Sequence, residues 1–339
     1  MITIDGSKHE GGGQILRTTL ALSVITQKPC RVINIRKKRP KPGLAHQHLS
    51  GLRALVELCQ GKVEGDLLGS GEIKFCPGQN FKKRISLDIP TAGSITLLLQ
   101  TLILASSFSN CPIKISFTGG ATDTFFSPTI DHFQFVFLKI LEKIGVRINI
   151  NIIQRGFYPE GNAELETEIF PCQLKPICLV EPGGLKKILI ISGASQNLKE
   201  KKVAERQISG AKQILIKLKL PLEEKIEYYQ TNSTGSQINI IAELENTIFG
   251  TDNLGRLGKS AEQVGQEAAQ EFLKEVRSNA CLDKHTADQI LPYMALAPGK
   301  SKITVSEITS HCRTNIWVIE QFLDKGKFKI KDNLISWIP

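Results

Sequence analysis

Three consecutive glycines near the N-terminus are flanked by side chains that suit phosphate and metal binding. The run Glu10 to Arg17 (EGGGQILR) follows a β-rich segment, Ile2 to Ile4, and leads into an apolar helical pattern. Glycines permit a tight turn with exposed N–H groups, and a helix N-terminus behind them adds partial positive charge. Arg17 could bind a phosphate and Glu10 a metal ion. The run matches neither a P-loop nor a dinucleotide fingerprint, so a plain glycine-rich turn with a surface arginine is an equal alternative.

A basic loop is the second candidate for phosphate binding. Arg36 to Gly43 (RKKRPKPG) has five cations in eight residues, and its prolines keep it out of a helix. It lies between a strand-like run, Arg31 to Ile35, and a helical one. The formal net charge of +10 also favours a polyanionic partner. A solvated charged loop is the alternative interpretation.

Six histidines occur, and His311 has the most suggestive setting. It lies in Ser310 to Asn315 (SHCRTN), which we interpret as a polar turn between a strand and the final helix, where a reactive side chain would have rigid support. For any single histidine, a surface or capping role is the usual alternative. Zinc-hydrolase and serine-hydrolase motifs are absent, and none of the eight cysteines forms a Cys-x-x-Cys pair. Most cysteines lie in apolar runs and are predicted to be buried.

Three similar helix openings indicate the elements that would position these residues. They are Gly13 to Leu22, Gly93 to Leu102 and Asp288 to Ala297. Each is followed by a predicted strand: Arg31 to Ile35, Ile113 to Phe117 and Lys302 to Val305. A second helix then follows: Leu44 to Cys59, Pro128 to Ile144 and Arg313 to Lys325. A glycine after each second helix suits a left-handed cap: Gly61, Gly145 and Gly326.

The spacing of these openings predicts an insertion. Eighty residues separate Ile15 from Ile95, but 195 separate Ile95 from Ile290, a surplus of about 115 residues that suits a small domain. We therefore predict an α/β (α+β) fold of three repeated β-α-β-α-β units forming a large domain, with a smaller α+β domain inserted between repeats two and three. The boundaries are 1–180 for repeats one and two, 181–278 for the inserted domain and 279–339 for repeat three. A plain two-domain α/β enzyme is the alternative.

The bulk composition is that of an ordinary globular protein. The 339 residues are 41% hydrophobic and 22% charged, without an apolar run long enough to cross a membrane. The N-terminus lacks the basic and apolar blocks of a signal peptide. We expect a cytoplasmic protein without a membrane partner.

Several separated motifs in order resemble the RNA 3′-terminal phosphate cyclase family. They are Glu10 to Arg17, Lys41 to Leu44 with Gln47 to Leu49, Arg155 to Pro159 (RGFYP), Ala287 to Leu291 and Ser310 to Ile316. The resemblance runs nearly end to end and includes the position of the insertion. Two departures are visible: the family's glycine run after the Gly-Phe-Tyr-Pro motif is replaced by Pro159 to Ala163, and His285 stands where the family often has tyrosine.

The resemblance implies an ATP-dependent ligase-type reaction at RNA 3′-phosphate ends. A histidine attacks the α-phosphate of ATP, AMP passes to the RNA 3′-phosphate, and the 2′-OH closes a 2′,3′-cyclic phosphate. It implies His311 as the catalytic nucleophile and Glu10 as the ligand of Mg or Mn. The implied nucleotide contacts are Gln100, Asp288, His285 and Pro128. Arg17, Arg36, Arg39, Lys41 and Gln47 are the candidates for binding the triphosphate and the RNA phosphate.

Two other functions are compatible with parts of the sequence. One is that of the non-catalytic cyclase-like relative, an RNA-binding protein of ribosome assembly, and the other is an enolpyruvyl-type transferase with related repeats. His311 in its Ser-His-Cys-x-Thr-Asn run favours the enzyme. The sequence leaves open which RNAs are used, whether DNA ends are accepted and what the insertion does. It also leaves open the oligomeric state, and a homo-oligomer is one possibility.

Overall fold

Four-stranded mixed sheets with helices packed on them make up the chain, which the computed structural model describes from residue 1 to residue 339. The predicted α/β class is therefore confirmed. No helix combines the length and apolar character that a membrane crossing requires.

The first sheet is built from the N-terminal 76 residues. Its elements are β1 (Ile2–Asp5), α1 (Gly13–Thr26), β2 (Cys30–Ile33), α2 (His46–Cys59), β3 (Lys62–Glu64) and β4 (Ile73–Cys76). The spatial order is β1-β2-β4-β3. Strands β1 and β2 are parallel because α1 crosses over between them, and the remaining pairs are antiparallel. The N-terminus of α1 thus lies at the carboxyl end of β1.

The second sheet follows with the same order and directions. Its elements are β5 (Arg84–Ser94), α3 (Ile95–Ser106), β6 (Ile113–Ala121), α4 (Ile130–His132), α5 (Leu138–Ile144), β7 (Arg147–Gln154) and β8 (Glu164–Phe170). The order is β5-β6-β8-β7, with only the first pair parallel. The sequence predicts a single regular helix from Pro128 to Ile144, and this is wrong in detail. The observed helical segment starts at Ile130, and a π-helical stretch, Phe133–Phe137, separates α4 from α5.

A sheet of different order follows the short strand β9 (Cys178–Leu179). Its elements are β10 (Leu185–Ser195), α6 (Val203–Leu215), β11 (Leu222–Tyr229), β12 (Ser236–Leu244), β13 (Ile248–Leu254) and α7 (Ala261–Ser278). The order is β11-β10-β12-β13. Helix α7 begins at a capping box, in which Ser260 and Gln263 satisfy each other's backbone N–H groups.

The C-terminal sheet takes β9 as its edge strand. It continues with α8 (Lys284–Leu296), β14 (Ser301–Thr304), α9 (Ser310–Phe322), β15 (Lys327–Lys331) and β16 (Leu334–Ile338). Strand β14 pairs with β9 in parallel and with β16 antiparallel, which gives the order β9-β14-β16-β15. Each of the second helices is therefore followed by a pair of strands, where the sequence predicted one.

Two separate apolar cores stabilise these sheets. A cluster of 14 buried side chains lies wholly between Ile188 and Phe272, whereas a cluster of 62 draws on the chain before and after that segment. A buried ion-pair network joins the two parts. Arg155 bonds Asp131 at 2.6 Å and stacks on the ring of Tyr229, while Gln237 donates to the same aspartate at 2.8 Å. Asp123 also pairs with Arg155, at 3.4 Å, so removing Arg155 would leave two buried carboxylates without their cation.

Several local predictions need correction. Gly145 caps its helix in the left-handed region (φ 101°), but after α2 this conformation belongs to Gln60 (φ 52°) rather than Gly61. Helix α9 ends at an extended Leu323, so Gly326 lies in the turn to β15. All eight cysteines are free, and only four of them are buried: Cys30, Cys59, Cys281 and Cys312.

Candidate active site

Helix N-termini from different parts of the chain converge on one cleft of about 380 Å³. The first two turns of α1, α3, α8 and α9 line it with Gln14, Leu97, Gln100, His285, Asp288 and His311. In addition, Arg17 comes from the second turn of α1, and Ser127 and Pro128 directly precede α4. Because each helix N-terminus carries partial positive charge and unpaired N–H groups, the cleft is suited to an anion.

The glycine loop permits the close approach of two side chains at the start of α1. Helix α1 begins at Gly13 with Gly12 as its N-cap. A methyl group on Gly12 would collide with the Glu10 carboxylate, and one on Gly13 would collide with the His48 imidazole. The loop therefore brings a carboxylate and an imidazole against the helix N-terminus, and a larger residue at either position would displace one of them.

Glu10 is a nearly buried carboxylate of this loop and lies beside His311. Its side chain is 12% exposed and forms an ion pair with Arg39. Its other oxygen, Oε2, lies 3.7 Å from His311 Nδ1 and has no hydrogen-bond partner. No group of three or more His, Cys, Asp or Glu side chains converges to hold a metal. A cation at Glu10 would therefore complete its coordination with water or with the oxygens of a bound phosphate.

His311 lies in the first turn of α9, not in a turn preceding the helix as the sequence suggested. The hydroxyl of Thr309 caps this helix by accepting the N–H of Cys312 at 3.1 Å. The imidazole is 42% exposed, but its Nδ1 is buried without a hydrogen-bond partner, so Nε2 is the accessible nitrogen. Burial, together with Arg17, lowers the pKa of His311 to about 4. The ring is therefore neutral near pH 7, and its Nε2 can carry a free lone pair.

A buried hydrogen-bond network joins helix α1 to helix α9. Arg17 donates to Gln14 Oε1, and Gln14 Nε2 donates to Asn315 Oδ1 at 3.1 Å. The hydroxyl of Thr18 donates to the same Asn315 oxygen at 2.7 Å. Burial lowers the pKa of Arg17 to about 10, which leaves it charged near pH 7. Arg17 is thus half-buried and held in place, which excludes the surface arginine that the sequence left open.

A proline in α8 ties this network to the third helix. Pro292 has no N–H, so the carbonyl of Asp288 one turn earlier lacks its helical partner. Asn315 Nδ2 donates to that carbonyl at 2.7 Å. Burial raises the pKa of the Asp288 side chain to about 8, and Arg17 opposes this shift. A ribose hydroxyl or amine donor on a ligand would find an acceptor here.

The remaining predicted nucleotide contacts share this cleft. His285 lies in the first turn of α8, whose N-cap is Asp283, and burial lowers the pKa of its imidazole. Gln100 Nε2 is buried without a hydrogen-bond partner, and Pro128 lines the opposite side. The cleft thus contains an unpaired amide donor, Gln100 Nε2, beside the imidazole of His285 and the ring of Pro128, groups that can hold a planar base.

The predicted phosphate ligands are only partly brought together. Gln47 lines a small cavity beside the cleft, together with Arg17 and His48. Arg39 is connected to the site by its ion pair with Glu10. Arg36, however, donates to the carbonyl of Gly43 at 2.9 Å, and Lys41 is exposed on the basic loop. Neither of these two side chains lines the cleft.

Among the residues that sequence reasoning did not single out, Gln14 and Asp252 line the cleft, and Asn315 is buried against Gln14. Gln14 and Asn315 belong to two of the motifs described above, so the sequence placed them near candidate site residues. It could not show that their side chains contact each other. Asp252 comes from β13, where it accepts the N–H of Thr129 at 2.7 Å, and no motif marked it. A strand of the segment 181–278 thus contributes directly to the cleft.

Comparison with known proteins identifies the family. A family profile described as "RNA 3'-terminal phosphate cyclase" matches residues 8–330. The chain belongs to the RNA 3′-terminal phosphate cyclase family. The cyclase of Pyrococcus furiosus is 46% identical over 332 residues, covering 98% of this chain and 95% of the relative. That of Pyrococcus abyssi is 45% identical over 326 residues, covering 96% and 94%. That of Hyperthermus butylicus is 40% identical, covering 100% and 99%.

Proposed function

We propose that this protein converts the 3′-terminal phosphate of RNA to a 2′,3′-cyclic phosphate, with ATP as the source of energy. The observation that carries the proposal is a neutral, accessible histidine, His311, at the convergence of helix N-termini and beside Arg17. This arrangement combines a nucleophile with an anion site, as adenylyl transfer to histidine requires. Membership of the cyclase family supports the choice of RNA as the acceptor.

In the first step, Nε2 of His311 attacks the α-phosphorus of ATP. An N–P bond forms, the bond from the α-phosphorus to the bridging oxygen breaks, and pyrophosphate leaves with the electron pair. Arg17 stabilises the charge that develops on the phosphate oxygens. Glu10 Oε2 lies 3.7 Å from Nδ1, on the side of the ring away from the attacking nitrogen.

A divalent cation fits the unpaired Oε2 of Glu10, provided that water or phosphate oxygens complete its coordination. When bound, it would neutralise charge on the leaving pyrophosphate. Gln100, Asp288, His285 and Pro128 would hold the nucleoside part of ATP in this proposal. Arg36, Lys41 and Gln47 remain proposed contacts of the RNA phosphate.

In the second step, an oxygen of the RNA 3′-phosphate attacks the same phosphorus, and the N–P bond to His311 breaks. In the third step, the neighbouring 2′-oxygen attacks the terminal RNA phosphate, loses its proton to solvent and displaces AMP. The 2′-oxygen is already adjacent to its target, so proximity supplies much of the rate once AMP is a good leaving group.

We also infer that the chain consists of three repeated units with an inserted domain at 181–278. Three sheets share one strand order, and the fourth sheet has its own order and its own core. In this arrangement the inserted domain closes one side of the cleft through Asp252.

The test is incubation with ATP labelled at the α-phosphate and a divalent metal. We expect the wild-type protein to become labelled through an acid-labile bond, and His311→Ala to remain unlabelled. His46→Ala is the matched control, since His46 is an exposed histidine at the start of α2, and it should be labelled normally. Added RNA with a 3′-phosphate should then acquire a phosphatase-resistant end. A wild-type protein that takes up no label would favour the non-catalytic binding function, and labelling of His311→Ala would refute the nucleophile.

A further inference from the structure

The two most exposed large apolar side chains of the protein lie in neighbouring loops, one of which borders the cleft. Phe126 and Leu257 are fully exposed, whereas the other large apolar side chains retain at least part of their cover. Phe126 borders the cleft that contains His311. Leu257 follows Arg256, whose guanidinium lies 5.2 Å from the ring centre of Phe125. Two loops from different sheets thus present apolar surface to solvent at one edge of the site.

The loop that carries Phe126 is held rigidly in an unfavourable conformation. Phe126 has a φ of 65°, in the left-handed region that a bulky residue rarely adopts. On either side of it, Ser127 donates to the carbonyl of Thr124 at 2.9 Å, and the N–H of Thr129 donates to Asp252 at 2.7 Å. The backbone of Phe126 is thus held in a conformation of higher energy while its aromatic ring stays in water, which indicates a role for the exposed ring.

Further aromatic and cationic groups surround its neighbour in the same loop, Phe125. Tyr158 is 58% exposed, and its ring meets that of Phe125 edge-on at 6.1 Å. Arg256 is exposed on the facing loop. An exposed aromatic face beside a guanidinium is the combination that binds single-stranded nucleic acid, because every base has a stackable face and every linkage a negative charge.

We propose that Phe126, Tyr158 and Arg256 form a platform on which a nucleobase near the 3′ end of single-stranded RNA stacks. The inference rests on the proposed function, since an RNA end at His311 must leave the cleft past an edge such as this one. Phe126 provides the stacking face, while Arg256 contacts the backbone phosphate. Stacking of this kind accepts any base, so the platform would bind RNA ends without reading their sequence.

The test uses a single-stranded RNA with a 3′-phosphate and 2-aminopurine at the penultimate position. We expect wild-type protein to quench the 2-aminopurine fluorescence on binding. Phe126→Ala should weaken RNA binding by about tenfold and lose the quench, as expected for the loss of one base–aromatic stack. Phe126→Tyr should restore both. Ile216→Ala is the matched control, because Ile216 is also an exposed apolar residue (71%) but lies outside the cleft, after α6.

The measurement separates this inference from the proposed function because binding is read without turnover. Unchanged RNA affinity and quenching in Phe126→Ala would overturn the platform even if the wild-type enzyme cyclises RNA. A loss of affinity for ATP equal to the loss for RNA would also overturn it, because the ring would then contact the adenine of ATP. Failure of the wild-type protein to form a histidine–AMP bond would refute the proposed function and leave the fluorescence result standing.

Discussion

Asn315 is predicted to position both the nucleophile and its arginine, so that Asn315→Ala damages stability and adenylylation together. Its side chain is completely buried, accepts hydrogen bonds from Gln14 and Thr18, and donates to the carbonyl of Asp288. Truncation leaves the Asp288 carbonyl without its donor and the Thr18 hydroxyl without an acceptor for its proton. A buried unpaired group costs roughly 1–3 kcal/mol, so the free energy of unfolding should fall by about 2–5 kcal/mol.

The effect on activity follows from the position of Asn315 one turn after His311 on α9. Without this residue, α9 loses its polar contacts with α1 and α8, and Gln14 no longer holds Arg17 from a fixed point. The rate of histidine–AMP formation should therefore decrease by at least the tenfold that a displacement of reacting groups produces, about 1.4 kcal/mol in the barrier. Labelling with α-phosphate-labelled ATP measures this rate.

Thr314→Val is the matched control for Asn315→Ala. Thr314 is equally buried, but its hydroxyl donates to the carbonyl of Ser310 within the same helix. Its loss should cost about 1 kcal/mol and leave labelling near the wild-type rate. Urea unfolding can be followed by the fluorescence of Trp317 and Trp337, both in the C-terminal part of the chain. The reasoning is refuted if the two variants unfold alike, or if Asn315→Ala is destabilised and still labels at the wild-type rate.

Two further predictions concern pH and the glycine loop. Burial raises the pKa of Glu275 to about 7 from 4.5, so the folded state binds this proton more tightly and the free energy of unfolding falls as pH rises through this range. The stability of Glu275→Gln relative to wild type should therefore be greater at about pH 8 than at about pH 5, by at most about 3 kcal/mol. Thermal unfolding at these two pH values measures the difference, and an equal difference at both would contradict the prediction. Gly13→Ala should lose labelling and roughly 1–3 kcal/mol of stability, because its methyl group would collide with His48. Gly71→Ala, where nothing lies within 4 Å, should change neither, and normal labelling of Gly13→Ala would argue against the packed loop.

Local patterns were enough to predict most elements of the fold. The glycine loop, helix α1 and the capping residue Ser260 follow from propensity and from short-range hydrogen bonding, which act over a few residues. The sequence analysis missed the second strand of the hairpin that ends each of the three similar sheets (β4, β8 and β16). It also missed the π-helical stretch after α4. Strand pairing depends on distant partners, and the π-helical stretch packs Val136 against Ile191 and Ile241 of another sheet.

The sequence by itself determined which residue types are available for adenylyl transfer: the loop from Glu10 to Arg17, and His311 in its Ser-His-Cys-x-Thr-Asn run. Only the tertiary structure decided which of them meet. Glu10 and His311 are separated by about 300 residues along the chain and by 3.7 Å in space. The lowered pKa of His311 follows from burial and from charges supplied by other elements. The tertiary structure also decided that Arg36 and Lys41 do not line the cleft. Desolvation and Coulomb interactions act through space, so no local pattern in the chain can encode them.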